Sequence, residues 1–261
     1  MACICNIFII FAPIKRQILN IMTKATRLLA FAIAAVVAMG AVSCDKDENL
    51  SNGDPGNGGI TAGDWVDLGL PSGLLWASRN IGASQPTADG QYFAWGETQP
   101  KTTYSWGTYA YGRSFSEMTK YCNNEVFGYN GYTDNLTTLE PGDDAATAGW
   151  GNGARMPTKE EVKELCDNCT SEWVTLGGAK GRKFTGTNGN SIFIPAAGYL
   201  EGDGSNHAGS MGFYWSATLR TDGYPNDAWQ LEINQGTAHA TSSTGYFRYY
   251  GFPVRAVRSA K

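Results

Sequence analysis

Only one long stretch of the chain repeats its apolar residues at helical spacing. In residues 155–169, Val162, Leu165, Cys166 and Cys169 fall on one side, and Lys159, Glu160, Lys163 and Glu164 decorate the other. The approach to this stretch is equally clear. Pro157 disfavours helix for the residue before it. Thr158 has the chemistry of an N-cap, and Glu161 stands three residues on, where its carboxylate reaches back to the cap amide. Such a cap is worth roughly 1 kcal/mol. The spacing therefore predicts one amphipathic helix that buries Val162 and Leu165.

Around it the pattern is that of strands and turns. Two short apolar runs flank Pro71, Ser72 and Gly73 and predict a hairpin over residues 65–78. Residues 92–97 read as a strand, 114–122 as a short helix and 123–140 as a polar loop. Asp143 and Asp144 open a further helical turn, where the helix dipole favours acids. Residues 183–187 and 191–195 flank Asn188-Gly189, a strong hairpin-turn dipeptide. Residues 196–212 read as a long loop. Partial alternation predicts strands at 213–219, 228–233 and 237–241, and residues 246–258 read as a closing strand that pairs with the amino-terminal one. A helix in the middle with short strands on both sides makes an α+β domain.

The first 63 residues have a different composition. Residues 22–43 read as a secretory signal: Lys24 and Arg27 form its charged start, residues 28–38 its apolar centre, and Ala41-Val42-Ser43 its small-residue cleavage site. The apolar centre is too short to span a bilayer, which needs about 20 residues. Cys44 directly follows the cleavage site, and the whole resembles a bacterial lipobox. That resemblance implies lipidation of Cys44. Asp45-Lys46-Asp47-Glu48 resembles the acidic signal that sends lipoproteins of Bacteroidetes-type bacteria to the outer face of the outer membrane. Residues 1–21, upstream of a complete signal, read as a start codon placed too early. Residues 44–63 form a flexible tether rich in Gly, Asn and Asp, and residues 64–261 form the folded domain.

Charge narrows the partners. The chain carries 20 basic and 24 acidic residues, net −4. Four of the bases (Lys15, Arg16, Lys24, Arg27) and none of the acids precede Cys44, so the part from Cys44 onward has 16 against 24, net −8. That excludes a basic footprint for nucleic acid and leaves a lipid anchor as the only expected tie to a membrane. The 33 glycines and 12 % aromatics suggest a loop-rich domain held by large rings.

Several blocks carry a family resemblance: residues 66–77, 92–98, Arg155-Met156-Pro157-Thr158, residues 191–199, Tyr214-Trp215-Ser216 and residues 254–258. In this order they resemble the Fibrobacter succinogenes major paralogous domain, common in lipoproteins of gut Bacteroides-type bacteria, and the likeness spans essentially residues 65–258. It implies a C-type-lectin-like domain, one main helix packed on a small twisted, mostly antiparallel sheet with long loops, related in shape to the formylglycine-generating enzyme. It implies no known activity. That enzyme's copper-binding cysteine pair lies late in the chain, and here no cysteine follows Cys169. Calcium-dependent lectins carry Glu-Pro-Asn and Trp-Asn-Asp motifs. Glu140-Pro141-Gly142 and Asn226-Asp227 echo them in part, which makes Asp222, Asn226 and Asp227 the calcium candidates.

The remaining candidate chemistry is sparse. Cys166 and Cys169 form a CxxC at a helix end. With Cys122 they leave an odd number, which reads as buried thiols, or as one disulfide from Cys122 to either with one thiol left over. His207 and His239 are isolated, and no nucleophile, base and acid spacing appears. Tyr104, Trp106, Tyr109 and Tyr111 fall within eight residues. Their rings suit stacking on sugars, core packing or loop anchoring. The expectation is a surface-anchored, non-enzymatic module without a cofactor, binding a glycan or a surface protein. The alternative is a structural or adhesive component of an envelope assembly.

Overall fold

The structure, a computed structural model, describes residues 60–242 and 245–260. The upstream segment 1–21, the signal at 22–43, Cys44 and the tether through residue 59 lie outside the described residues. In chain order the strands and helices are β1 (Trp65–Asp67), β2 (Leu74–Ala77), β3 (Tyr92–Phe93), α1 (Ala145–Trp150), α2 (Lys159–Asn168), β4 (Thr170–Leu176), β5 (Ala179–Thr185), β6 (Ser191–Pro195), β7 (Tyr199–Glu201), β8 (Gly204–Asn206), β9 (Met211–Leu219), β10 (Ala228–Asn234), β11 (Ala238–Thr241), β12 (Phe252–Pro253) and β13 (Val257–Ser259).

The strands close into five small antiparallel sheets: β1-β2-β13, β11-β10-β9, β12-β3, β4-β5-β6 and β7-β8. This corrects the expected α+β, C-type-lectin-like arrangement of one main helix on one small sheet. Strands dominate among the described residues, and α2 is the one helix of more than six residues. The reason is local. Most apolar runs are cut short by glycine or asparagine turns, so most pair with a neighbour in sequence, β12 and β13 return to β3 and β2, and no single sheet grows. Two sequence expectations fail in the same way. Residues 114–122 form no helix, and the 196–212 loop contains the β7-β8 hairpin. A strand that the polar pattern hid, β4, follows directly on α2 and pairs with β5 through seven unbroken positions.

Other expectations hold. Thr158 Oγ1 accepts from the Glu161 amide at 3.3 Å, and Glu161 Oε2 accepts from the Thr158 amide at 2.8 Å. Arg155 reinforces the box by gripping the same carboxylate at 2.6 and 2.7 Å. On the next turns Glu164 accepts from the Ser72 amide and hydroxyl at 2.8 and 2.6 Å, so α2 is pinned to the β1-β2 turn. Asp144 caps α1 through the amides of Ala146 and Thr147. The closing strand β13 pairs with β2 as expected, Val257 opposite Trp76.

The core is divided by β9, which is buried along almost its whole length. Side chains alternate between the faces of a strand. Phe213 and Trp215 therefore enter an aromatic cluster with Trp95, Tyr104, Tyr109, Tyr121 and Phe252. Tyr214 enters a second, mainly aliphatic one with Val162, Leu165, Phe184, Ile194, Leu231 and Ile233. Trp215 and Phe252 stack at 4.0 Å between centroids.

Candidate functional site

A concavity lies between α2 and the β9-β10-β11 sheet, beside an irregularity in that sheet. The β9-β10 register shifts between Ala228 and Gln230, so that Leu219 opposes Ala228 while Trp215 opposes Gln230. The extra residues of β9 turn away from β10 to hold the start of α2. The Ala217 amide donates to Pro157 O at 2.7 Å, and Thr218 Oγ1 accepts from the Lys159 amide at 3.0 Å. Trp229 sits at the shift, and Lys159 Nζ lies 5.0 Å from its ring centroid.

The resulting groove has a volume of about 500 Å³. Trp229, Ala238 and Ala240 supply apolar surface from the sheet, and Lys159, Glu160, Lys163, Cys166 and Asp167 form the helix side. Lys163 pairs with Asp167 one turn along, and Lys159 lies 3.6 Å from Glu160. Each cation of the rim thus has an anion beside it. His239 also borders the groove, but it pairs in register with Glu232, one position off the Ala238 and Ala240 face. Burial pushes the Cys166 thiol up to about 12, so it is not a thiolate at neutral pH.

The sequence-derived aromatic candidates lie elsewhere, with Trp106, Tyr109 and Tyr111 in edge contact around the buried Tyr109. Tyr104 and Tyr109 are 1 % and 6 % exposed, which removes them as stacking surfaces. Tyr104 donates to Tyr92 O at 2.6 Å, and Tyr109 donates to Trp95 O at 2.8 Å. Trp106 is half-buried against Tyr109, Phe247 and Tyr249, at centroid distances of 5.8, 5.6 and 4.9 Å. Tyr111 borders a smaller groove of about 400 Å³ beside Glu97 and Lys101. There Glu97 takes Lys101 and the Ala110 amide, and Tyr111 donates to Asp143 at 2.7 Å, so the polar groups serve the fold.

The calcium candidates are drawn together by an arginine. Arg220 holds exposed Asp222 at 2.6 Å and buried Asp227 at 3.1 Å. Asn226 is buried, and its Oδ1 has no hydrogen-bond partner among the described residues. A cation here would have to displace the guanidinium that both carboxylates already use. Among the described residues no group of three or more His, Cys, Asp or Glu is placed to hold a metal. Cys122, Cys166 and Cys169 are free thiols.

Sequence reasoning missed Trp229 as a groove residue. The available signal was its place between Ala228 and Leu231 in a half-alternating strand. Alternation puts Trp229 on the face of Leu231 and Ile233, but that α2 packs over this face left no mark in the pattern.

A family described as a domain of unknown function (DUF8237) matches residues 170–257, about a third of the 261-residue chain. The match begins at β4 and ends at the first residue of β13, so it includes the sheet wall of the groove and excludes α2. No curated protein and no solved structure matches the chain.

Proposed function

We propose that the protein is a non-enzymatic binding module, anchored at the outer face of the outer membrane through a lipidated Cys44, and that it holds a glycan in the groove between α2 and β11. The groove carries this reading: apolar surface around Trp229 lies beside a rim of paired charges, the two textures of a sugar ring with its CH face and hydroxyl edge. Its volume falls in the range of small-ligand sites, roughly 300–1,000 Å³. The ordered sequence blocks support membership of the Fibrobacter succinogenes major paralogous domain family, and with the lipobox they support the surface location.

Two experiments test this. Fatty-acid labelling in the native host should mark the wild-type protein and not Cys44→Ser, and protease added to intact cells should remove the wild type. A glycan array probed with the chain from residue 44 onward, carrying Cys44→Ser, should show saturable binding. A blank array would sink the glycan reading.

One observation favours a second reading, an adhesive accessory of an envelope assembly. β4 is an unbulged edge strand without Lys or Pro, beside a groove of about 490 Å³ lined in part by Val174, Leu176 and Phe193. Natural sheets usually blunt such edges. Capture of one defined envelope subunit, lost on Val174→Lys, together with a blank array, would establish it instead.

A further inference from the structure

Resting on the glycan reading above, we infer that the α2-β11 groove takes a neutral sugar ring and needs no calcium to do so. The ring would lie on the surface formed by Trp229, Ala238 and Ala240, with neighbouring hydroxyls bridging the Lys163-Asp167 pair.

Charge balance selects a neutral ligand. The rim contributes two cations, Lys159 and Lys163, and two anions, Glu160 and Asp167, each cation beside an anion. A carboxylate or sulfate would have to share Lys163 with Asp167, or Lys159 with Glu160, and would leave the rim with a net negative charge. An ammonium ligand would do the reverse. A hydroxyl has one O–H to donate and lone pairs to accept with, while lysine only donates and an ionised aspartate only accepts. Two neighbouring hydroxyls can therefore bridge Lys163 and Asp167 without changing the charge of either. Both side chains are more than half exposed, so they are available from solvent.

The floor selects a flat partner. Ala238 and Ala240 add only methyl groups to the floor beside Trp229, so the indole is the one large apolar side chain among the residues lining the groove. The apolar face of a pyranose is flat. A lectin-type calcium bridge has no place in this arrangement, because Asp222 and Asp227 are both held by Arg220 and are not among the residues bordering the groove.

The test uses the chain from residue 44 onward with Cys44→Ser, on an array carrying neutral oligosaccharides (glucans, mannans, galactans, xylans) and acidic ones (uronic-acid and sulfated), in EDTA. The expected result is binding to at least one neutral oligosaccharide that persists in EDTA. Trp229→Ala should weaken it about tenfold or more. Lys163→Met and Asp167→Asn should each weaken it severalfold with unchanged melting temperature. These two exposed positions keep the test readable if Trp229→Ala fails to fold. Binding confined to acidic glycans, binding abolished by EDTA, or neutral-glycan binding indifferent to Lys163 and Asp167 would overturn this inference and leave the glycan reading standing. A blank array would overturn both.

Discussion

Arg248 and Tyr109 meet inside the core, Arg248 Nε donating to the tyrosine hydroxyl at 2.8 Å. The guanidinium is fully buried and has no carboxylate partner among the described residues. It donates instead to the carbonyls of Tyr121, Pro225 and Lys120 at 2.8–3.0 Å and lies 4.8 Å from the Trp95 ring centroid. Carbonyl dipoles and ring faces thus do the work of a counter-ion and tie residues 95, 109, 120–121 and 225 together. Replacing the cation leaves several buried acceptors unpaired, at about 1–3 kcal/mol each. Arg248→Met should therefore lower stability by about 3 kcal/mol or more, and Tyr109→Phe by about 2 kcal/mol. Chemical denaturation of both variants checks this, and a Tyr109→Phe protein as stable as wild type would show that the hydroxyl is not a structural link.

The capping box on α2 gives a smaller and cleaner effect. Thr158→Ala should cost about 1 kcal/mol, and Thr158→Ser should recover most of it, because serine offers the same acceptor. Since Arg155 and Glu164 also hold the helix, its position over the sheet should survive. Thermal melts paired with a binding assay would check this: a Thr158→Ala protein of unaltered stability that lost its ligand would contradict the scaffold role.

Acid should act on the fold with two opposite signs. At Asp64, burial opposes ionisation, but Arg79 and the Thr61 groups outweigh it and bring the carboxyl down to about 2. At Glu161, burial is likewise outweighed by Arg155 and the Thr158 amide, and the pKa falls below the usual range. A carboxyl lowered in this way stabilises the fold above its unfolded pKa of about 4, and the contribution is lost as pH falls through the folded value. At Asp227 burial wins over Arg220 and lifts the carboxyl to about 6. Its contribution is full below the unfolded pKa and is lost as pH rises through the folded one. Melting temperatures across this range should show Asp227→Asn flattening the profile between pH 4 and 6, and Asp64→Asn flattening the fall from pH 4 to 2. Profiles parallel to wild type would refute the assignment.

Gly186 tests a close backbone approach. A Cβ there would stand 1.9 Å from Leu68 O, so a side chain must part the β5-β6 turn from the β1-β2 hairpin. Overpacking of this kind costs about 1–3 kcal/mol. Gly186→Ala should destabilise within or above that range in urea titration. Gly142→Ala, where nothing lies within 4 Å of the added carbon, serves as the control and should change little.

Sequence alone determined the features set by neighbours along the chain. The capping box at Thr158, the Asp144 helix start and the turns at residues 71–73 and 188–189 all follow from short-range hydrogen bonding and backbone preference. So did the pairing of the last strand with the amino-terminal hairpin, since apolar runs at both ends must bury each other. Tertiary structure decided what depends on residues far apart. Periodicity cannot say whether a tyrosine faces solvent or a buried arginine 139 positions away, and so Tyr104 and Tyr109 looked like a binding surface. Nor could it foresee that short runs separated by glycine would close as five small sheets and not as one sheet under one helix. The place of α2 over the face that carries Trp229, and the shift between β9 and β10 beside it, are matters of packing and of register between strands. Register is fixed by packing on both faces at once, which no local pattern records.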